Sequence, residues 1–331
     1  MTAQAIAYVE LQVEDAHKSA ADLNDAFGFL VEERTAPARP GLQTLVAAQG
    51  GIRLLIGSAI EPGHPAGEFV RRHGDGVAVL ALLCPDPRAA FAHAVEHGAT
   101  VLDPDGLVIT GFGDIALRFT GAEDPVLAAP TRDGLLQELD HVAICVPAGQ
   151  LAVAVRFSEQ ALGFRQIFGE YIEVGTQAMD SRVVQSPSGL ITFTLLEPDA
   201  ERQPGQIDTF LESHEGAGVQ HLAFRTDDIA QAVRTMGSHG VDFLRTPAAY
   251  FDELERRLGP IGIPVAVLRE LNVLVDQDHD GQLFQIFTRS VHERRTFFFE
   301  LIERRGAGTF GSANIKALYE AVERQRAATS S

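Results

Sequence analysis

Three residues far apart in this chain occupy the same kind of place. His141 lies in Leu-Asp-His-Val-Ala-Ile-Cys-Val, His221 in Gly-Val-Gln-His-Leu-Ala-Phe and Glu300 in Phe-Phe-Phe-Glu-Leu-Ile. An ionisable side chain inside an apolar strand-like run is costly to bury alone. Two imidazoles and a carboxylate on neighbouring strands remove that cost together by binding a metal ion. Two His and one carboxylate, with further positions open, form the ligand set of non-haem Fe(II) oxygenases. Zinc also accepts such a set, but a zinc hydrolase needs a general base, and the chain has no HExxH-like run. His93 and His97 stand at i,i+4 in a helix-like stretch with no third ligand nearby in sequence, and read as a solvated face.

The elements that must position these residues are written twice. Ile6 to Val13 resembles Leu139 to Val146, and both alternate like strands. Each leads into an Ala-rich helical stretch ending in Ala-Phe-Gly-Phe (26–29) or Ala-Leu-Gly-Phe (161–164), where glycine suits a helix end. Gly74 to Leu82 matches Gly216 to Phe224, and each leads into a helix ending in His-Gly. Gly113 to Thr120 is aligned with Gly281 to Thr288. Each half therefore reads as strand, helix and several strands, taken twice. The expected fold is α+β: two tandem domains of repeated βαβββ modules, each an open curved barrel with outer helices and antiparallel pairing. The linker falls near Gly121 to Gly134, giving domains 1–130 and 131–331. Where the second half has His141 and His221, the first has Tyr8 and Val79, and nothing in it resembles Phe297 to Glu303. One half is expected to carry the chemistry and the other only the fold.

Bulk properties narrow the classes. A chain of 331 residues with 45% hydrophobic content can fill two cores. A net charge of −18 argues against nucleic acid or an anionic membrane as partner. Cys84 and Cys145 are too few for a disulfide framework. No apolar run approaches the ~20 residues of a membrane span, and the first ten residues do not read as a signal peptide. The expected compartment is a reducing cytoplasm.

The chain resembles the 4-hydroxyphenylpyruvate dioxygenase / 4-hydroxymandelate synthase family of the vicinal oxygen chelate superfamily. The likeness is carried by Gly216-Ala-Gly-Val-Gln-His221, Gly281-Gln-Leu-Phe-Gln-Ile-Phe-Thr288, Phe298-Phe-Glu-Leu-Ile-Glu-Arg304 and Gly308-Thr-Phe-Gly-Ser-Ala-Asn-Ile315. It covers nearly the whole chain and is strongest from Leu139 to Glu323. The resemblance implies Fe(II) held by His141, His221 and Glu300, with an arylpyruvate and O2 as substrates. Members oxidatively decarboxylate the 2-oxo acid. They then hydroxylate either the ring, giving homogentisate, or the benzylic carbon, giving 4-hydroxymandelate. The ring-hydroxylating members carry Pro-x-Asn-Glu where this chain has Thr194-Leu195-Leu196-Glu197, and Phe where it has Ile315. Both positions resemble the benzylic hydroxylases. The linker and Gly259 to Val267 depart from the family's pattern.

By the same resemblance, Ser181, Thr194, Leu196, Gln206, Gln285, Phe299, Phe310 and Ile315 surround the substrate. Phe299 neighbours Glu300 in its strand, so the alternation of a strand turns the two to opposite faces. Phe310 stacks on the substrate ring in the family, and the helix Asn314 to Gln325 closes the cavity. The family leaves a homodimer open. Two rivals share the fold: a catechol-cleaving dioxygenase, which releases no CO2, and a drug-binding resistance protein, which lacks the metal triad.

Overall fold

A computed structural model of the chain describes residues 2–33, 40–252, 254–308, 314 and 316. The first half contributes strands β1 (Ala5–Gln12), β2 (Leu30–Glu33), β3 (Leu42–Gln49), β4 (Ile52–Ala59), β5 (Gly76–Leu83), β6 (Val101–Asp103), β7 (Val108–Thr110) and β8 (Ala116–Thr120). The second contributes β9 (Glu138–Cys145), β10 (Arg165–Val174), β11 (Gln177–Gln185), β12 (Thr192–Pro198), β13 (Gly218–Arg225), β14 (Leu274–Gln277), β15 (Gln282–Phe287) and β16 (Phe298–Arg305).

These strands form two eight-stranded sheets of the same topology, β2-β3-β4-β1-β5-β8-β7-β6 and β10-β11-β12-β9-β13-β16-β15-β14. Each sheet is two four-stranded modules joined edge to edge by their first strands, β1 with β5 and β9 with β13. The expected antiparallel pairing holds for most neighbours and is corrected at one place in each module. The first strand of each module lies parallel to its last, β1 to β4, β5 to β8, β9 to β12 and β13 to β16. Such a pairing requires a crossover, and the helix after each module's first strand supplies it.

The helix Ala16–Phe27 shows how sequence sets these boundaries. The Asp15 side chain accepts from Lys18 N–H at its start, and Gly28 adopts φ +78 at its end, where only glycine turns without strain. Ala16, Ala20 and Leu23 face the core on one stripe. One continuous core runs under both sheets: Phe29 packs edge-on to Phe224 at 5.9 Å, and Phe27 to Phe299 at 5.2 Å.

The repeat of Gly113–Thr120 with Gly281–Thr288 does not survive. The sheet order puts β8 in the place of β16, and β7 in the place of β15. The likeness of those two runs is one of strand composition, whereas place in the sheet is set by the crossover. The first half therefore does possess a counterpart of the Glu300 strand.

The stretch between the sheets forms a 3-10 helix, Pro125–Ala128, capped by the Asp124 side chain on Val126 N–H at 2.9 Å. Val126 and Ala129 are buried with Ala7, Tyr8, Val46, Leu55 and Ala81 on the concave face of the first sheet. Among the described residues, no helix is long and apolar enough to cross a membrane. Cys84 and Cys145 are buried free thiols.

Candidate metal centre

Register places His141, His221 and Glu300 on one face of adjacent strands. His141 pairs with Ala223, Ala223 with Glu300, and His221 with Ala143, two residues along β9. All three side chains are buried, and one donor atom from each lies within 4.8 Å of the others. Nε2 of His141 is 3.4 Å from Glu300 Oε2, and Nε2 of His221 is 3.3 Å from the same oxygen. Ligands about 2.1 Å from one ion at right angles would lie ~3 Å apart. The donor set therefore fits a first-row divalent ion, which His141, His221 and Glu300 would hold.

Each ligand is braced from behind. His141 Nδ1 donates to Asp140 Oδ1 at 2.8 Å, which turns Nε2 to the centre. Asp140 is gripped by Arg304, Nε to Oδ2 at 2.7 Å and Nη2 to Oδ1 at 2.8 Å, a two-pronged pairing. His221 Nδ1 lies 3.3 Å from Gln220 Oε1, and its ring stacks on Phe298 at 5.1 Å with Phe287 edge-on at 5.9 Å. Gln285 donates from Nε2 to Glu300 Oε1 at 2.7 Å, leaving Oε2 for the histidines.

The electrostatics follow from this crowding. Burial alone would raise Glu300, yet the His141 charge and both imidazole hydrogen bonds hold it down at about 2. Burial alone would lower His141, yet the Glu300 carboxylate and the Asp140 hydrogen bond hold it up at about 9. Burial lowers His221. Asp140 is pulled well below the usual carboxylate range by Arg304 and His141, against its burial. Without an ion, these shifts favour the charged carboxylate at Glu300, a proton on His141 and the neutral imidazole at His221. A divalent ion would displace the His141 proton, the usual exchange at such sites.

The sequence-selected substrate residues divide. Thr194 pairs with Ala143, and Ser181 pairs with Leu196, so Ser181, Thr194 and Leu196 share the face of the three ligands. All three are buried, and Thr194 Oγ1 has no hydrogen-bond partner among the described residues. Leu196 packs with Ala143, Cys145, Ile172, Met179, Ile207 and Phe210. Gln206 begins the helix Gln206–His214 that covers this floor, and is half-buried. Gln285 reaches Glu300 itself. Phe299 is corrected: it packs on the opposite face against Phe27, Phe224 and Phe297, each at 5.1–5.2 Å, because strand alternation turns it away from Glu300. Among the described residues, Phe298 and Phe287 are the phenylalanine side chains stacked on or edge-on to His221. Period two points to both, since Phe298 precedes Glu300 by two and Phe287 follows Gln285 by two. Phe310 and Ile315 lie outside the described residues, as does most of the expected closing helix. The sequence reading also missed Asp140, Arg304, Tyr250 and Asn314. His93 and His97 are exposed, their rings 4.1 Å apart, and no third ligand joins them among the described residues.

A family model described as the Glyoxalase/Bleomycin resistance protein/Dioxygenase superfamily matches residues 5–125 and 138–286. Among curated proteins, the chain is 36% identical to a probable 4-hydroxyphenylpyruvate dioxygenase 2 of Aspergillus fumigatus, over 77% of this chain and 72% of that one. It is 31% identical to the 4-hydroxyphenylpyruvate dioxygenase of Xenopus tropicalis, over 94% and 88%. Among solved structures, it is similar to a triple mutant of 4-hydroxymandelate synthase from Streptomyces coelicolor. That match has a TM-score of 0.90 and 43% identity, covering 98% of this chain and 100% of the other.

Proposed function

We propose a function from one premise: the chain belongs to the Glyoxalase/Bleomycin resistance protein/Dioxygenase superfamily, and within it to the family of 4-hydroxyphenylpyruvate dioxygenases and 4-hydroxymandelate synthases. It is a metal-dependent dioxygenase of an arylpyruvate, with residues 131–331 as the catalytic domain and residues 1–130 as a domain without metal ligands. The metal is Fe(II), the substrate 4-hydroxyphenylpyruvate, and the product 4-hydroxymandelate with CO2.

The observation that carries the reading is the convergence of His141 Nε2 and His221 Nε2 on one oxygen of a buried carboxylate. Those atoms would hold the ion. Iron bound there would let O2 react with the 2-oxo acid, whose decarboxylation and hydroxylation supply the electrons that O2 takes up.

The chain's own residues do the rest. With His141 deprotonated, the buried groups Asp140, Arg304 and Glu300 sum to one negative charge. A divalent ion leaves a net single positive charge, which matches the carboxylate of one 2-oxo acid. Burying the whole set without that anion would leave charge uncompensated. Ala143, Cys145, Met179 and Leu196 form a dry floor for an aromatic ring. Thr194 Oγ1, buried and without a partner among the described residues, would bond a polar atom of the substrate. Phe298 and Phe287 wall the His221 side and exclude water from the reacting atoms.

The benzylic product is favoured over homogentisate by the identity to the synthase along both full lengths, and by Thr194 and Ile315 in the sequence. The alternative is the ring-hydroxylating dioxygenase. The deciding experiment gives anaerobically loaded Fe(II) enzyme 4-hydroxyphenylpyruvate and air, and separates the products by chromatography and mass. Hydroxymandelate with CO2 is expected. Homogentisate would overturn the product assignment, and iron-loaded enzyme that releases no CO2 would overturn the substrate class.

A further inference from the structure

Beyond the ligands runs a chain of hydrogen bonds with one direction. Glu300 can only accept, so the Gln285 group 2.7 Å from its Oε1 is the amide nitrogen. Gln285 Oε1 is then left facing Asn314, whose Nδ2 donates to it at 2.8 Å. Asn314 Oδ1 in turn faces the Tyr250 hydroxyl at 2.9 Å. That hydroxyl accepts from Val275 N–H at 2.8 Å, and its one proton faces two acceptors, Asn314 Oδ1 and the Val275 carbonyl at 2.8 Å, so it ties the Asn314 amide to the backbone of β14. Each amide orientation is dictated by the one before it. Gln285 is 3% exposed and Asn314 0% exposed, so no water replaces a lost link.

Tyr250 itself is held from several sides. It lies in the short helix Ala248–Asp252, its ring is edge-on to Phe251 at 5.1 Å, and the Arg257 guanidinium sits 5.0 Å over its ring. Burial raises its pKa, so the phenol keeps its proton. Asn314 lies between the glycine-rich stretch Gly306–Gly311 and the C-terminal residues.

We propose that Tyr250 is a positioning residue for the metal centre: its hydroxyl fixes the Asn314 amide, which fixes the Gln285 amide, which holds Glu300 Oε1 so that Oε2 meets both histidines. The inference rests on the metal-site reading above and adds to it a residue fifty positions before the ligand and outside the two barrels' repeated strands.

The test is a titration of the metal-free protein with Co(II), followed by its visible spectrum. It compares the unaltered protein with Glu300→Ala, Tyr250→Phe, Asn314→Ala and the Tyr250→Phe/Asn314→Ala double variant, each first checked for a cooperative melt. Removing a group that bonds directly to a ligand costs ~10–100-fold in metal affinity. Tyr250→Phe, two links further out, is expected to weaken Co(II) by ~2–10-fold, the worth of one neutral hydrogen bond. Its Co(II) spectrum should shift as the carboxylate turns. The double variant should bind no more weakly than Asn314→Ala alone, because both substitutions cut the same chain. Unchanged affinity and spectrum in Tyr250→Phe, or effects that simply add, would overturn the proposal. If Glu300→Ala binds Co(II) as well as the unaltered protein, the metal-site reading fails first, and that result is distinct from a failure at Tyr250.

Discussion

The two halves carry the same sheet and use its concave face in opposite ways. In the first, the row across β1, β5 and β8 reads Tyr8, Ala81 and Arg118. In the second, the equivalent row across β9, β13 and β16 reads His141, Ala223 and Glu300. A guanidinium stands where the other half places its carboxylate, and its Nη1 donates to the Tyr8 hydroxyl at 3.3 Å. The row two residues further along β1 and β9 differs in size as well. The first half buries Glu10 and Gln12, joined by a 2.7 Å hydrogen bond, where the second has Ala143 and Cys145. Gln12 fills its space so fully that a Cβ on the facing Gly57 would lie 2.8 Å from the Gln12 amide. The 3-10 helix after β8 then covers what is left, with Val126 and Ala129 against Tyr8. A metal centre in this fold therefore needs three things together: ligands, a cation-free row, and small residues beside it.

The sharpest break of that symmetry is to remove the same register position from each half. Glu300→Ala should leave the protein without bound metal. CO2 release from the arylpyruvate should fall by roughly a thousandfold or more, since metal polarisation is worth several kcal/mol and ~1.4 kcal/mol is a factor of ten. Arg118→Ala, its counterpart, should keep one metal per chain by elemental analysis and retain CO2 release. Equal losses from both would mean that the first half takes part in the reaction.

The comparison also depends on what holds the halves in register. His73 of the first half and His214 of the second stack at 4.4 Å, with His73 Nδ1 donating to the His214 carbonyl at 2.6 Å. Asp114 faces His73 Nε2 at 3.0 Å, Phe210 stacks on the far side of His214, and Arg294 and Glu215 flank the pair. Burial, then the neighbouring His73, push His214 down from 6.5 to about 4. The unfolded chain therefore binds more protons than the folded one between those values. Stability from this group is complete above about pH 6.5 and is lost as pH falls toward 4. At ~1.4 kcal/mol per pKa unit the loss reaches ~3 kcal/mol. Urea melts across that window should show the slope, and His214→Leu should remove it. A slope unchanged in the variant would assign the loss elsewhere.

Next in size is Arg294, in the loop that leads into β16. Its guanidinium donates to the carbonyls of Arg72 at 2.7 Å and Arg71 at 2.8 Å in the first half, and of Ser213 at 2.9 Å in the second. Arg294→Ala should lower stability by ~1.5–3 kcal/mol, the range for hydrogen bonds from a charged group. Calorimetry should show the single transition broadening toward two. A melt shifted without broadening would mean that the apolar core shared by Phe27, Phe29, Phe224 and Phe299 couples the halves by itself.

The triad was legible in sequence because each ligand interrupts an apolar strand, and because period two makes such an interruption face one way. Tyr8 and Val79 were readable as the silent counterparts for the same reason. Arg118 was not, because the run around it resembles β15 in composition while the parallel crossover places it as β16. Asp140 and Arg304 pair across 164 positions, which no local pattern exposes. Tyr250 sits among short helices with no period to read. Phe299 was assigned to the substrate by resemblance although alternation already turned it to the core, and the structure sides with alternation.

The smallest expected effect sharpens the comparison most. Tyr8 and His141 share a register position, and each presents one polar group to the same row. Burial pushes the Tyr8 phenol up to about 12, with Arg118 partly opposing it, so the hydroxyl stays neutral and accepts from the guanidinium. Tyr8→Phe removes that one hydrogen bond and should cost about 1 kcal/mol of stability. Metal content should stay at one per chain, and the product pattern should not change. His141→Phe, the same change of group at the same place in the other sheet, removes a ligand and the seat of the Asp140–Arg304 brace together. If Tyr8→Phe instead altered the product pattern, the first sheet could not be the inert partner that its filled face implies. The covering segment around Val126 would then have to transmit that change to the second half.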